Sequence, residues 1–371
     1  MIKSDKLSKL NLLGQSIWYD NLSRELLQDG SLENLIKTGI LGLTSNPSIF
    51  EKAISSSSIY DNDIKALSDS NKSDIEIYEN LAISDIQSAA DILFDTYMTT
   101  NKKDGFVSLE VNPHLAHDTL GTILEAKRLH GEVNRPNLMV KVPATKEGIP
   151  AIQHLIGEGI SVNVTLIFSL DSYIKVVDAY KMGIIDFIKN SGDPTSVASV
   201  ASIFIGRVDA AVDKAIEDLN LDSRIQTGFA GIANAKIAYE NFKEYFSYEK
   251  FNDLSSKGAT LQRPLWASTA VKDPNVRDVL YVEELIGDET VNTLPDPTLN
   301  ALIDHGIVEN TIDKNVDLAF EHLKLIDESE IDMDKIMITL LNDGVKIFSD
   351  SFDGLIKNIS LKRQSIYSRN L

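Results

Sequence analysis

Lys141 is the residue of this sequence best placed to do covalent chemistry. It sits in residues 138–142, Leu-Met-Val-Lys-Val. A short apolar run of that kind reads as a strand buried on both faces. Alternation puts Leu138, Val140 and Val142 on one face, toward covering helices, and Met139 and Lys141 on the other. An ammonium ion is costly on a buried face, and desolvation favours the neutral amine. That is the usual preparation for a lysine that forms a Schiff base with a carbonyl substrate. The competing reading of the segment alone is a lysine at a strand edge, snorkelling to water.

Such an amine must be held by a framework, and the chain supplies one. Apolar runs at 16–19, 40–43, 106–111, 138–142, 160–168, 199–204, 264–267 and 291–294 read as strands. Between them lie helical patterns at 23–30, 47–100, 117–133, 146–156, 170–190, 206–219, 229–256 and 276–285. The first thirteen residues read as an amphipathic lead-in. Eight strands alternating with helices is the count of a (β/α)8 barrel, an α/β TIM-barrel fold. The expectation is one domain, with the barrel at about 14–306. Helices at 315–326 and 333–358 belong to a C-terminal helical extension at about 307–371.

In such barrels the active site lies at the C-terminal ends of the strands. Polar residues stand there on most of them. The first strand ends in Asp20, the second in Thr44, Ser45 and Asn46, and the third in Glu110. The fifth offers Asn163 and Thr165, two apart and so on one face. The sixth offers Ser202, then Phe204 and Arg207, and the seventh Ser268 and Thr269. Each has an ordinary explanation: Asp20 and Asn46 as helix caps, Glu110 as a solvated loop residue, Thr165 as a strand former, Ser202 as a core hydroxyl. Arg207 has ready partners in Asp209 and Asp213. As a set they make chemical sense. Carboxyls beside a Schiff-base lysine move protons while carbinolamine and imine form and break. Amides and hydroxyls suit sugar hydroxyls. Arg207 at a helix start, with amide groups nearby, suits a phosphate.

Composition narrows the alternatives. Asp plus Glu outnumber Lys plus Arg by 55 to 36, for a net charge of −19. Such a body repels nucleic acid and anionic membrane. The absence of cysteine excludes thiolate nucleophiles, zinc–thiolate sites and disulfides. The N-terminal lysines are followed by no apolar stretch, so no signal peptide is expected, and no run reaches membrane-span length. A soluble cytoplasmic protein follows. A metal-dependent barrel hydrolase or lyase would draw on His114 and His117 beside Glu110, but no HxH or HExxH pattern is present. A non-catalytic scaffold would be expected to lack part of the lysine, carboxylate and amide set.

Seven segments, WYDNLSR, GLTSNPSIFEKAI, VSLEVNP, LMVKVPATKEGI, SVNVTLIFS, ASIFIGRVD and LWASTAVKDP, span residues 18–274. They resemble transaldolases of the longer bacterial-type group, in the family's order. The resemblance implies a class I Schiff-base barrel with no metal and no organic cofactor. It implies reversible transfer of a dihydroxyacetone unit from sedoheptulose 7-phosphate to glyceraldehyde 3-phosphate, in the non-oxidative pentose phosphate pathway. It makes Lys141 the Schiff-base lysine and Asp20 the acid/base at the C4 hydroxyl. Glu110 would relay protons through a water held by Thr165. Asn46, Asn163 and Ser202 would line the sugar chain, Phe204 would wall the pocket, and Arg207 and Ser268 would hold the phosphate. Many family members carry an arginine shortly after the seventh-strand serine; here Lys272 is the nearest cation, a point charge rather than a fork. A related aldolase that releases free dihydroxyacetone shares the lysine and the barrel, but Glu110 and the chain length favour the transferase. The partners implied are small sugar phosphates, with the protein a monomer or homodimer.

Overall fold

In the computed structural model, which describes residues 5–219, 221 and 225–368, eight parallel strands close on themselves in sequence order. They are β1 Gln15–Tyr19, β2 Gly42–Thr44, β3 Val107–Glu110 and β4 Leu138–Pro143. β5 Val162–Ile167, β6 Ser199–Phe204, β7 Gln262–Ala267 and β8 Thr290–Leu294 complete the ring, with β8 paired to β1. The expected (β/α)8 barrel is present. Of the expected lead-in, residues 5–12 form the helix Asp5–Leu12 and residues 1–4 lie outside the described residues.

The strands are buried on both faces, as their unbroken apolar runs require. Leu138, Val140 and Val142 pack outward against the helix layer, and Met139 joins the cluster that fills the barrel interior with Trp18, Val200, Leu265 and Val291. Lys141 stands two residues beyond Met139 and therefore on the same inward face, one layer nearer the C-terminal rim. The opposite end of the barrel is closed by a buried ion pair. The Arg263 guanidinium donates to Asp104 Oδ1 at 3.2 Å and to Ser16 Oγ at 2.6 Å, and Trp18 Nε1 donates to Asp104 at 2.9 Å.

Several elements differ from the sequence reading. Gly30 does not simply end a helix: at φ +81 it turns the chain from Arg24–Gln28 into a second helix, Ser31–Thr38. The stretch 276–285 is helical only over Leu280–Glu284. Asp273 accepts the Asn275 N–H at 2.8 Å, and this side-chain turn holds the preceding residues out of a helix. The last helix runs past residue 358, over Met333–Ser368.

That C-terminal helix leaves the barrel wall and crosses the site-bearing rim. Ser48 Oγ meets Ser351 Oγ at 2.8 Å, Asn358 donates to Glu51 at 3.2 Å, and His114 Nε2 lies 2.8 Å from Asp353. Phe352 stacks edge-on with Tyr78, ring centres 5.5 Å apart. No helix among the described residues is long and apolar enough to cross a membrane.

Removing one member of a buried ion pair leaves the other charge without compensation, at a cost of about 3–5 kcal/mol. Asp104→Ala should lower unfolding stability by that amount in urea titration. A midpoint equal to that of the unaltered protein would mean that the Arg263 pair carries no structural weight.

Candidate active site

Strand register brings the central residues together. Glu110 of β3 is level with Lys141 of β4, and Lys141 is level with Asn163 of β5. Three side chains from adjacent strands thus form one row on the inner wall. Lys141 is 6% exposed and Glu110 8%. Lys141 Nζ lies 3.6 Å from Glu110 Oε2 and donates to Ser45 O at 3.2 Å. The edge-lysine alternative is therefore wrong: the ammonium points into a closed interior.

A cavity of about 180 Å³ opens above this row. It is lined by Asp20, Thr44, Asn46, Lys141, Asn163, Thr165, Ser202, Phe204, Arg207 and Ser268, with Ala267, Thr293 and Phe348. Nearly every residue singled out from the sequence is here. Glu110 flanks the cavity through its contact with Lys141 and itself lines a smaller space behind β3, beside Tyr78 and Glu125. Lys272 is the exception. It is exposed, in the irregular segment after β7, and does not line the cavity.

The two carboxyls are held differently. Asp20 accepts from Thr44 Oγ1 at 2.7 Å, and Thr44 in turn meets Thr293 Oγ1 at 2.6 Å. Burial raises Asp20 above the ordinary carboxylate range, with the Lys141 charge and the Thr44 hydrogen bond opposing. Burial likewise pushes Glu110 up to about 7, again against the pull of Lys141. Its Oε2 has no hydrogen-bond partner among the described residues, and neither has the buried Thr165 Oγ1. Two unpartnered buried oxygens on the wall around Lys141 are fit to share a small polar molecule.

The amides and hydroxyls are prearranged. Ser202 Oγ donates to Asn163 Oδ1 at 2.7 Å, and Asn163 Nδ2 donates to Ser108 Oγ at 3.0 Å. This chain links β6 and β5 to β3, across β4 and the lysine it bears. Asn46 is both cap and lining: its Oδ1 accepts from Ile49 N at 3.0 Å at the start of helix Pro47–Ser56, which leaves the amide nitrogen as a donor.

Arg207 enters at the N-terminus of helix Gly206–Asp218. Neither acid suspected from the sequence claims it. Asp209 accepts from Gly231 N at 2.6 Å, and Asp213 accepts from Gly228 N at 2.8 Å. Among the described residues Arg207 has no ion pair; its guanidinium lies over the Phe204 ring, 5.5 Å from the centre. Burial lowers it from its ordinary value, with the charge of Asp343 acting in opposition. The amide groups expected beside it are mostly engaged. Gly206 N donates to Ser268 O at 3.0 Å, and the amides of Val208 and Asp209 donate to Ile205 O. Ser268 is held at φ +57, a conformation few non-glycine residues adopt.

Four lining residues, Thr44, Ala267, Thr293 and Phe348, were not among the site residues read from the sequence. Thr44 had been noted only as part of its strand end. Thr293 was a polar residue inside β8 that its inward alternation with Val291 could have exposed. Phe348 had no signal at all, since its helical spacing is that of any packed apolar residue. The metal alternative loses its ligand pair, because His114 pairs with Asp353 and His117 with Glu147, both at the surface.

A buried donor left without its acceptor costs about 1–3 kcal/mol, whereas apolar replacement of both partners is nearly neutral. Ser108→Ala should therefore destabilise the protein by about that amount. Removing the whole chain, by adding Asn163→Leu and Ser202→Ala, should recover much of it. Additive losses in urea unfolding would show that the three side chains do not act as a unit.

Comparison with known proteins matches this arrangement to described relatives. The family model for "Transaldolase/Fructose-6-phosphate aldolase" matches residues 17–359. A protein named Transaldolase from Trichodesmium erythraeum is 44% identical over 371 residues, covering 97% of this chain and 98% of its own. "Transaldolase 2" from Nostoc sp. is 43% identical over 369 residues, covering 96% and 97%. A Neisseria gonorrhoeae Transaldolase is 43% identical over 350 residues, covering 94% and 98%.

Proposed function

The chain belongs to the transaldolase/fructose-6-phosphate aldolase family, and we propose that Lys141 is the amine through which it works. It is a transferase. Its reaction is the reversible movement of a dihydroxyacetone unit from sedoheptulose 7-phosphate to glyceraldehyde 3-phosphate, giving erythrose 4-phosphate and fructose 6-phosphate. This is a step of the non-oxidative pentose phosphate pathway. The observation that supports the residue assignment most directly is the buried Lys141 Nζ, 3.6 Å from Glu110, in a cavity it shares with Asp20.

The steps follow from the positions of these groups. The Lys141 amine attacks the ketose C2 carbonyl. Glu110 takes the amine proton and returns it to the departing hydroxyl, through a water shared with Thr165, so that the carbinolamine loses water and becomes an iminium. A carboxyl that titrates near neutrality suits both transfers. Asp20 then takes the C4 hydroxyl proton. The C3–C4 bond breaks, its electrons pass into the iminium, and the shortened aldose phosphate leaves. What remains is an enamine on Lys141. Its C3 attacks the acceptor aldehyde, Asp20 returns the proton to the new hydroxyl, and water hydrolyses the iminium to free the product and the amine.

Asn46, Asn163 and Ser202 supply the hydrogen bonds to the sugar hydroxyls and the enamine, and Phe204 walls the cavity. Arg207 and Ser268 hold the phosphate. With the helix amides largely engaged and Lys272 outside, the guanidinium carries most of that grip. Every group in this scheme comes from one chain, so a monomer suffices and a homodimer is compatible. The barrel and the C-terminal helices work as one domain, because that helix closes the rim. An acidic chain acting on small phosphorylated sugars fits the cytoplasm.

Incubation with fructose 6-phosphate followed by borohydride should leave a stable adduct at Lys141, read by intact mass and then by the modified peptide. An adduct on another lysine, or full transfer activity in Lys141→Ala, sinks the assignment.

The pH dependence carries a sign. Because burial raises Glu110 to about 7, its carboxylate is gained only as pH rises through that value. Imine trapping should slow as pH falls through about 7, by this shift. Glu110→Gln should trap about 100-fold more slowly, the usual scale for losing an acid–base group, and should lose that limb. A limb retained in the variant would assign the titration elsewhere.

A further inference from the structure

The enamine left on Lys141 after bond cleavage has two fates, and its surroundings must choose between them. Attack of C3 on the acceptor aldehyde forms a new C–C bond and completes transfer. Alternatively C3 takes a proton from water: the C2–C3 π electrons form the new C–H bond and the nitrogen lone pair restores the iminium. The hydroxide left behind adds to the iminium carbon, and the carbinolamine separates into free dihydroxyacetone and the Lys141 amine. Both routes balance without any co-reactant beyond water. Only the first conserves the three-carbon unit. The difference rests on how much water reaches the face of the enamine.

One side chain outside the barrel strands covers that face. Phe348, on the C-terminal helix, is 6% exposed and lines the cavity. Its ring centre is 5.4 Å from Lys141 Nζ. The cavity's other aromatic residue, Phe204, serves the opposite end, where its ring lies under the Arg207 guanidinium. The two rings thus divide the cavity: one borders the amine and the other the anion-facing cation.

The height of Phe348 above the lysine is set by a specific contact. The pairing of β5 with β6 shifts register between Val164 and Ile167, and Leu166 within that irregularity has φ +58. The left-handed backbone there is unfavourable for leucine and needs a compensating contact. Leu166 packs beneath Gly344, where a methyl group would come within 2.9 Å of Leu166 Cδ2. Gly344 lies one helical turn before Phe348, so the two share a helix face. A glycine here lets the helix lie against the end of the Leu166 side chain without displacing it, and that approach brings the phenyl ring down over Lys141. Asp343, beside Gly344, is the acid whose charge acts on Arg207, so one turn of this helix reaches both ends of the cavity.

We propose that Phe348, seated by the Gly344–Leu166 contact, is a specificity-determining residue that keeps water from the Lys141-bound enamine and so commits it to transfer rather than release. The inference rests on Lys141 being the Schiff-base lysine. The phenyl ring has no proton to give and excludes water from the volume it fills. Asp20 and Glu110 remain the proton donors in reach, and both are engaged in their own steps.

The test compares two products from one enzyme. Free dihydroxyacetone is measured with fructose 6-phosphate alone, and sedoheptulose 7-phosphate with erythrose 4-phosphate added. Phe348→Ala should raise the ratio of release to transfer by about tenfold, equivalent to ~1.4 kcal/mol between the two barriers. Phe348→Leu should raise it less, because an apolar cover remains. Gly344→Val should raise it with the phenyl ring intact, because the added methyls press on Leu166 and loosen the seat of the helix. Borohydride trapping runs in parallel on every variant. If the unaltered protein shows no adduct at Lys141, the lysine assignment fails and the proposal falls with it. If adducts form but release and transfer decline together at a constant ratio, Phe348 only anchors the helix and the proposal is overturned. Should Phe348→Ala fail to fold, the leucine and Gly344→Val variants decide the matter in the same two directions.

Discussion

At the site-bearing end of the barrel a lysine and two carboxyls are buried together, and the site depends on how that charge is answered. Lys141 has Glu110 at 3.6 Å and one backbone carbonyl within hydrogen-bond reach. That separation is looser than a hydrogen-bonded salt bridge. A buried pair locked in short hydrogen bonds gains Coulomb energy but resists losing its proton. Here burial raises both Glu110 and Asp20, so the lysine's charge does not fully hold either acid ionised. The row Glu110–Lys141–Asn163 exists because β3, β4 and β5 align those three residues side by side. Register, not proximity in sequence, brings the three together.

The rest of the rim stiffens this row without touching the lysine. Thr44 and Thr293 tie Asp20 to β2 and β8. Ser202 and Ser108 clamp Asn163 from opposite sides. The ends of β1, β2, β3, β5, β6 and β8 are thus coupled by side-chain hydrogen bonds on the inner wall, each buried and so stronger than its solvated counterpart. Above them the C-terminal helix closes the mouth, seated on a strained leucine and a glycine. Strain at Leu166 and Ser268 falls on the two strand ends that face Lys141 and Arg207, as expected where surrounding packing overdetermines the backbone.

What the sequence revealed divides along physical lines. Period-two alternation is a local property, so the inward faces of Lys141 and of Asn163 with Thr165 were legible from their own strands. Strand ends marked by polar residues gave Asp20, Asn46, Glu110 and Ser202 for the same reason. The cross-strand row was not legible, because register depends on how the whole barrel closes. Phe348 was invisible because helical periodicity reports that a residue is buried, never against what. Lys272 was misplaced because nearness to Ser268 in the chain does not fix where an irregular segment puts a side chain, and this one is exposed outside the cavity. The extent of the last helix was underestimated because nothing in its composition marks a stop at residue 358.

The phosphate end follows from charge economy. The chain carries 55 acidic side chains against 36 basic ones, so an anionic sugar approaches against the overall field. Most arginines and lysines near the acids are neutralised in pairs. Among the described residues Arg207 has no ion pair: Asp209 and Asp213 spend their carboxylates on the backbone amides of Gly231 and Gly228. Those two hydrogen bonds do more than build the helix junction, because they withdraw the nearest acids from the guanidinium. A half-buried arginine without a partner is costly for a stable fold to retain. In the proposed assignment a bound phosphate supplies what it lacks. The spacing of Arg207 from Lys141 would then set which sugars bring their carbonyl to the amine.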